Sequence, residues 1–237
     1  MYLSIIYGFD IGQSMMLDKR VNVVCGHYGT GKTNLSINLA MDCAREGKNV
    51  ILIDMDVVNP YFRSSDYAED LTKMEIKVIG PNFANSNLDT PSLPAAIGDA
   101  ISEGEKVIID VGGDDAGATA LGVYRRQLQA ADPEVIYVIN RYRSQTTNAE
   151  EAVTILREVE NAAHIKATCI ANNSHLKQLT TWDTVSQSVP FADEVSRLTG
   201  LPIVFTTTPV EVDPLNKIPN MYQVGVYVRA PWEKAGN

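Results

Sequence analysis

Eight consecutive residues, Gly26-His27-Tyr28-Gly29-Thr30-Gly31-Lys32-Thr33, carry the chemistry most plainly written in this chain. Their spacing is G-x-x-x-x-G-K-[ST]. Its glycines let the main chain curl until its N–H groups converge on phosphate oxygens. Lys32 supplies a mobile cation for β- and γ-phosphates, and the Thr33 hydroxyl is a ligand for Mg²⁺. A glycine-rich turn can match such a pattern by chance, but the flanking residues argue otherwise. The apolar run Val21-Asn22-Val23-Val24-Cys25 predicts a buried strand just before the loop. Asn34-Leu35-Ser36-Ile37-Asn38-Leu39-Ala40 predicts a helix just after it. A helix starting at Lys32 adds the positive end of its dipole to the same place.

Two further stretches end apolar runs in acids. Asn49-Val50-Ile51-Leu52-Ile53-Asp54 is apolar on both faces, as a central strand of a parallel sheet is, and it continues into Met55-Asp56-Val57-Val58-Asn59-Pro60. Such strand ends lie at the C-terminal edge of the sheet, where open α/β folds place ligands. Asp54 and Asp56, beside a phosphate loop, can hold a Mg²⁺-bound water or position an attacking water; the bland alternative is a solvated strand end. Lys106-Val107-Ile108-Ile109-Asp110-Val111-Gly112-Gly113 repeats the arrangement with D-x-x-G spacing. Phosphate-loop enzymes use such an acid on Mg²⁺, directly or through water, and the N–H of Gly113 can sense a γ-phosphate. Asp114 and Asp115 read as N-caps of a helix over 116–129 rather than as catalytic groups.

These residues need elements to position them. Helices are predicted over 32–46, 94–103 and 146–163, and from Pro190 to Gly200; further strands are predicted at 76–79, 135–139, 168–171, 203–205 and 224–228. Residues 81–94, rich in Asn, Asp, Ser and Pro, read as a long loop. At the ligand edge, Asn140-Arg141-Tyr142-Arg143 offers two arginines to a phosphate or a partner, or forms a solvated loop; both readings stand. Asn172-Asn173 offers amide donors and acceptors to a purine edge, with a turn-forming Asn pair as the alternative. Thr206-Thr207-Thr208-Pro209 reads as another loop at that edge, and Trp232 as packing.

The 237 residues suit a single domain over 1–237, with residues 1–20 either an extra edge strand or a disordered leader. A hydrophobic fraction of 45% is enough for a substantial core. The net charge of −9 argues against a broad nucleic-acid-binding face, so no nucleic acid partner is expected. Cys25, Cys43 and Cys169 lie far apart, which excludes a C-x-x-C zinc or redox pair and fits a reducing, cytoplasmic compartment. No apolar run is long enough to span a bilayer, and the N-terminus lacks the early basic cluster of a signal peptide.

The phosphate loop, the Asp54-x-Asp56 segment with Asn59-Pro60, the Asp110-x-x-Gly113 segment and the Asn172 edge occur in an order that resembles the MinD/ParA/CobQ-type nucleotide-binding proteins. The resemblance spans about 21–209. It implies an α/β three-layer P-loop NTPase fold, with a mostly parallel sheet of about seven strands and helices on both faces. It implies ATP and Mg²⁺ as ligands and a role for Lys32, Asp56 and Asp110 in ATP hydrolysis, Asp56 orienting the water. Nucleotide contacts would come from Gly26 to Thr33 with Asn34 following, and from Gly113. Asn172, Asn173 and Pro209 would hold adenine. The metal would be served by Thr33, Asp54, Asp56 and Asp110. The function implied is a nucleotide-dependent switch acting on an unidentified protein partner. The alternatives are a synthetase or kinase activating a small carboxylate, and a binding module without turnover. Many members form homodimers face to face over their nucleotides, using a signature lysine just after the first glycine of the loop. Here that position is His27, and a neutral imidazole does not replace a fixed cation.

Overall fold

The computed structural model describes residues 17–56, 68–80, 96–215 and 218–228. The expectations for the leader before residue 17, for Val57 to Pro60, for the loop over 81–94 and for Trp232 lie outside the described residues.

The central strands are those whose apolar runs are continuous: β1 (Val21–Cys25), β2 (Val50–Met55), β4 (Lys106–Val111) and β5 (Glu134–Ile139). Every residue of β1 and β4 is buried, as expected of strands covered on both faces. Shorter strands extend the sheet: β3 (Lys77–Ile79), β6 (Cys169–Asn172), β7 (Ile203–Pro209) and β8 (Met221–Val224). The order is β3-β2-β4-β1-β5-β6-β7-β8, and every pairing is parallel. The sheet therefore has eight strands, against about seven expected.

Helices cover both faces, and two buried clusters mark the two interfaces. On one face, α1 (Lys32–Arg45) and α2 (Ala68–Lys73) pack Leu35, Leu39 and Leu71 against Val24, Leu52 and Ile108. On the other lie α3 (Ala96–Glu103), α4 (Asp115–Gly122), α5 (Arg125–Ala131), α6 (Ala149–Ala163) and α8 (Val189–Thr199). These helices bury Ile101, Leu121, Leu128, Leu156 and Val195 against Val23, Ile109 and Ile139. A short α7 (Trp182–Ser186) follows a 3₁₀ turn (Lys177–Leu179). Each fully buried Leu, Ile or Val contributes about 1.5–3 kcal/mol, so the two interfaces dominate the driving force for folding.

Local signals explain most boundaries. α6 opens with a capping box, Asn148 accepting from Glu151 N while the Glu151 carboxylate accepts in return. α8 starts with Pro190 in its first turn and ends at Gly200 in a left-handed conformation.

Three expectations need correction. The helix over 116–129 is two helices, broken at Val123 and Tyr124. Gly122 sits close against the Ala162 carbonyl of α6, while Gly98 of α3 faces Gln127 of α5, so the halves pack on different partners. The stretch Thr206 to Pro209 is not a loop. Its three β-branched threonines and Pro209 complete β7 and pair with β8, from Thr206 opposite Met221 to Pro209 opposite Val224. The last strand is Met221–Val224, not 224–228. Beyond it, the Gly225, Tyr227 and Val228 amides leave the ladder and donate to side-chain oxygens of Asn38 and Asn34.

Candidate functional site

β1 carries the chain to the C-terminal edge of the sheet, where Gly26 to Gly31 turn back into α1. Gly31 is left-handed, with φ 88°. A Cβ there would lie 2.3 Å from Nδ2 of Asn173, so the position admits glycine alone. The helix begins at Lys32 with no side-chain cap, which leaves its first-turn amides to serve an anion. Lys32 is buried, and its ammonium donates to the His27 carbonyl at 2.9 Å. The Thr30 amide and hydroxyl donate to the same carbonyl, at 3.3 and 2.9 Å. Burial lowers the Lys32 pKa, and the charges of Asp110 and Asp56 oppose that shift.

The acids arrive from neighbouring strands. Asp54 of β2 and Asp110 of β4 are register partners, so their side chains emerge side by side on the α1 face. Both are fully buried. Thr33 and Ser36 donate hydroxyl hydrogen bonds to Asp110, that from Ser36 at 3.2 Å. Burial, followed by the Asp54 charge, pushes Asp110 up to about 7, with the Thr33 bond and Lys32 pulling the other way. Asp56 follows on the main chain, its amide donating to the Asp54 carboxylate at 3.0 Å. Gly113 closes the group. A Cβ on it would stand 2.7 Å from Lys32 Nζ and from Tyr28 Cα, so the loop after β4 rests directly on the phosphate loop.

Among the described residues no group of three or more His, Cys, Asp or Glu side chains gathers to hold a metal ion. The oxygens present — the Thr33 hydroxyl with the Asp54, Asp56 and Asp110 carboxylates — are the hard donors that suit Mg²⁺, which keeps much of its shell for water and phosphate. A buried Asp110 whose pKa is raised by burial and by the adjacent Asp54 charge is also what a dication stabilises in its ionised form.

The asparagine pair divides between the two faces. Asn173 faces the phosphate loop: its Nδ2 donates to the Thr30 carbonyl at 2.6 Å, and its Oδ1 accepts from Thr207 at 2.6 Å and lies 3.0 Å from His175 Nε2. Asn172 faces the other way, its Nδ2 donating to Ser188 at 2.9 Å while its Oδ1 is buried without a hydrogen bond. Pro209 ends β7, three residues past Thr206, the register partner of Asn172. The Asn34 side chain is bound to the segment after β8, donating to Gly225 O at 2.9 Å and accepting from Tyr227 N at 2.8 Å. The two arginines after β5 also part company. Arg141 donates to the Gln187 carbonyl, away from the loop, whereas the Arg143 guanidinium lies against Gly29. Burial and Lys32 hold the half-buried His27 below its usual pKa, so the imidazole is neutral near pH 7. Tyr28 is exposed at the tip of the loop.

Sequence reasoning missed Ser36, whose helical spacing from Thr33 carries it to Asp110, and missed Thr207 and His175, which fix the Asn173 amide. The Ser36 spacing was available in the sequence; the Thr207 contact depends on β6–β7 pairing and was not.

The CobQ/CobB/MinD/ParA nucleotide binding domain (CbiA) matches residues 23–198. The chain belongs to the CbiA family. It is accordingly a P-loop nucleotide-binding domain. No curated protein matches the sequence. Solved structures match its fold. The cell division protein FtsY of Thermotoga maritima aligns with a TM-score of 0.55 at 23% identity, covering 80% of this chain and 62% of that one. Chloroplast FtsY of Physcomitrella patens gives 0.54 at 17%, covering 79% and 58%. Signal Recognition Particle 54 kDa protein of Aeropyrum pernix K1, in complex with GDP, gives 0.52 at 17%, covering 79% and 41%. The CbiA chain thus spans less than two thirds of the length of each, and at these identities the likeness is one of fold. No helix among the described residues is long and apolar enough to cross a membrane.

Proposed function

We propose that this CbiA-family chain binds ATP with Mg²⁺ and hydrolyses it slowly, acting as a nucleotide-dependent switch on a protein partner. The observation that carries the reading is the convergence of Lys32, Asp54, Asp110 and Gly113 on the phosphate loop. In this reading the amides of Gly29 to Thr33 and the Lys32 ammonium bind the β- and γ-phosphates. Thr33 and Asp110 hold Mg²⁺, with Asp54 behind them; when bound, the ion neutralises charge developing on the phosphates. Asp56 orients the attacking water. Asn173 holds the loop in its phosphate-binding shape, and the Asn172 and Pro209 edge borders the adenine. The loops after Asp54 and Asp110 respond to the γ-phosphate and pass its presence to the partner. The neutral His27 supplies no fixed charge to a second subunit's nucleotide, which favours slow turnover within one chain over activation across a homodimer.

The test is thermal melting with ATP and Mg²⁺, paired with phosphate release. A ligand at 100 times its Kd adds about 2.7 kcal/mol, or a rise of roughly 5–10 °C for a domain of this size. Lys32→Ala should abolish both the rise and the hydrolysis. A melting temperature unmoved by ATP or GTP with Mg²⁺, or hydrolysis untouched by Lys32→Ala, overturns the reading; a larger shift with GTP overturns the assignment to ATP.

A further inference from the structure

We propose that Arg143, on the turn after β5, is a phosphate-binding residue of this site, its guanidinium taking an oxygen of the nucleotide's polyphosphate chain from the outer side of the phosphate loop. Arg143 has this role only if the site binds a nucleotide as proposed above, and it adds a cation from outside the P-loop motif.

Three observations converge. The first is position. Arg143 Cζ and Nε both lie 3.2 Å from where a Cβ on Gly29 would stand, so the planar group rests against the loop at a residue with no side chain to fend it off. The second is an unmet donor. Arg143 Nε is buried without a hydrogen-bond partner, and among the described residues no acid forms an ion pair with this arginine. A buried guanidinium N–H without an acceptor is costly, and native proteins retain few such groups. A planar fork beside a phosphate loop matches the geometry of phosphate oxygens.

The third is rigidity. Arg143 N donates to Asn140 O at 3.2 Å, Thr146 N donates to Arg143 O at 3.0 Å, and the Thr146 hydroxyl donates to Asn140 O at 2.6 Å. The Asn140 side chain accepts from Tyr142 N and donates to His175 O, tying the turn to the segment that follows Asn173. Arg143 is therefore presented by a fixed turn on the same scaffold that holds the loop. The other basic groups nearby are differently engaged. Lys32 is directed at the His27 carbonyl, and both His27 and His175 have depressed pKa values, leaving their imidazoles neutral near pH 7.

The experiment is equilibrium titration of the full chain with ATP, ADP and AMP in the presence of Mg²⁺, comparing wild type, Arg143→Met and Arg143→Lys, with the ligand-free melting temperature of each. Loss of a charged hydrogen bond to phosphate weakens binding about 10- to 100-fold. Arg143→Met should show that loss for ATP and a smaller one for AMP, while its ligand-free melting temperature stays near that of wild type. Arg143→Lys should recover part of the affinity, since it keeps the charge and lacks the fork. Wild-type binding with Arg143→Met within twofold of it overturns this role for Arg143 and leaves the nucleotide site standing. Wild-type protein that binds none of the three nucleotides overturns both. Where Arg143→Met does not fold, Arg143→Lys decides: ATP affinity equal to wild type refutes the role, and a several-fold loss for ATP that exceeds the loss for AMP supports it.

Discussion

Asn173→Asp is nearly isosteric, yet it attacks the joint between the β6 edge and the phosphate loop. The Asn173 amide donates to the Thr30 carbonyl at 2.6 Å and is only 2% exposed. An ionised carboxylate there has no proton to give and faces a carbonyl oxygen across the same gap. Leaving the Thr30 carbonyl unpaired costs about 1–3 kcal/mol, and an acid buried against it raises the total to roughly 3–5 kcal/mol. That is a large share of a typical domain stability of about 5–15 kcal/mol. The sign of the pH dependence follows. Burial raises the new acid's folded-state pKa above its unfolded value, so the penalty is full at neutral pH. It shrinks as pH falls through the raised pKa, where the protonated acid can again donate to Thr30. Urea unfolding of wild type and variant at pH 7.5 and pH 5 measures both quantities. A difference below about 1 kcal/mol at pH 7.5, or one that widens at pH 5, would refute the bracing role.

Gly113→Ala places a methyl 2.7 Å from the backbone of Tyr28, so the loop after β4 must move away from Lys32. The expected cost is about 1–3 kcal/mol, with weaker nucleotide binding; a variant that melts and binds like wild type would show the contact to be soft. Glu160 is buried and accepts from Arg157, Lys166 and the Ala167 amide. Burial raises its pKa, but these partners outweigh it and hold the carboxyl below its usual value. Its contribution is thus present above the ordinary carboxylate pKa and is lost as pH falls through the depressed one. Glu160→Ala should cost about 1–3 kcal/mol at neutral pH, and the gap to wild type in urea should narrow as pH falls below the ordinary carboxylate value. Burial, then the Arg143 charge, pushes His175 down to about 4. The neutral imidazole is favoured in the fold, so stability should fall as pH drops from about 6.5 towards 4, by at most about 3 kcal/mol. His175→Gln should flatten that slope; an unchanged slope would place the titration elsewhere.

The sequence disclosed what is written locally. Val21 to Cys25, Val50 to Asp54 and Lys106 to Asp110 are continuous apolar runs closed by a loop or an acid, and period and ending together located the strands and the edge they share. It did not disclose what depends on pairing between distant segments. That Asp54 and Asp110 are register partners follows from strand order. That Thr206 to Pro209 is a strand depends on β8 being alongside. Arg141 and Arg143 look equivalent in sequence, and only the turn from Asn140 to Thr146 separates their directions. The asparagines show the same limit, since an amide suited to reading a ligand is equally suited to holding the protein's own backbone or hydroxyls. Asn34 binds Gly225 and Tyr227, Asn173 binds Thr30, and Asn172 binds Ser188.

The polar stripe along α1 sets how far the chain can be trimmed. Asn34, Asn38 and Asp42 recur every four residues, one turn of helix apart, and engage in succession Tyr227, Gly225 and Tyr222. An expression boundary drawn before Met221 would strip β7 of its neighbour, bare Phe205 where the Tyr222 ring packs, and remove a hydrogen bond from each of three helix side chains. The affected helix is the one whose first turn holds Lys32 and Thr33, and Asn34, the next residue, is among those that would lose a partner.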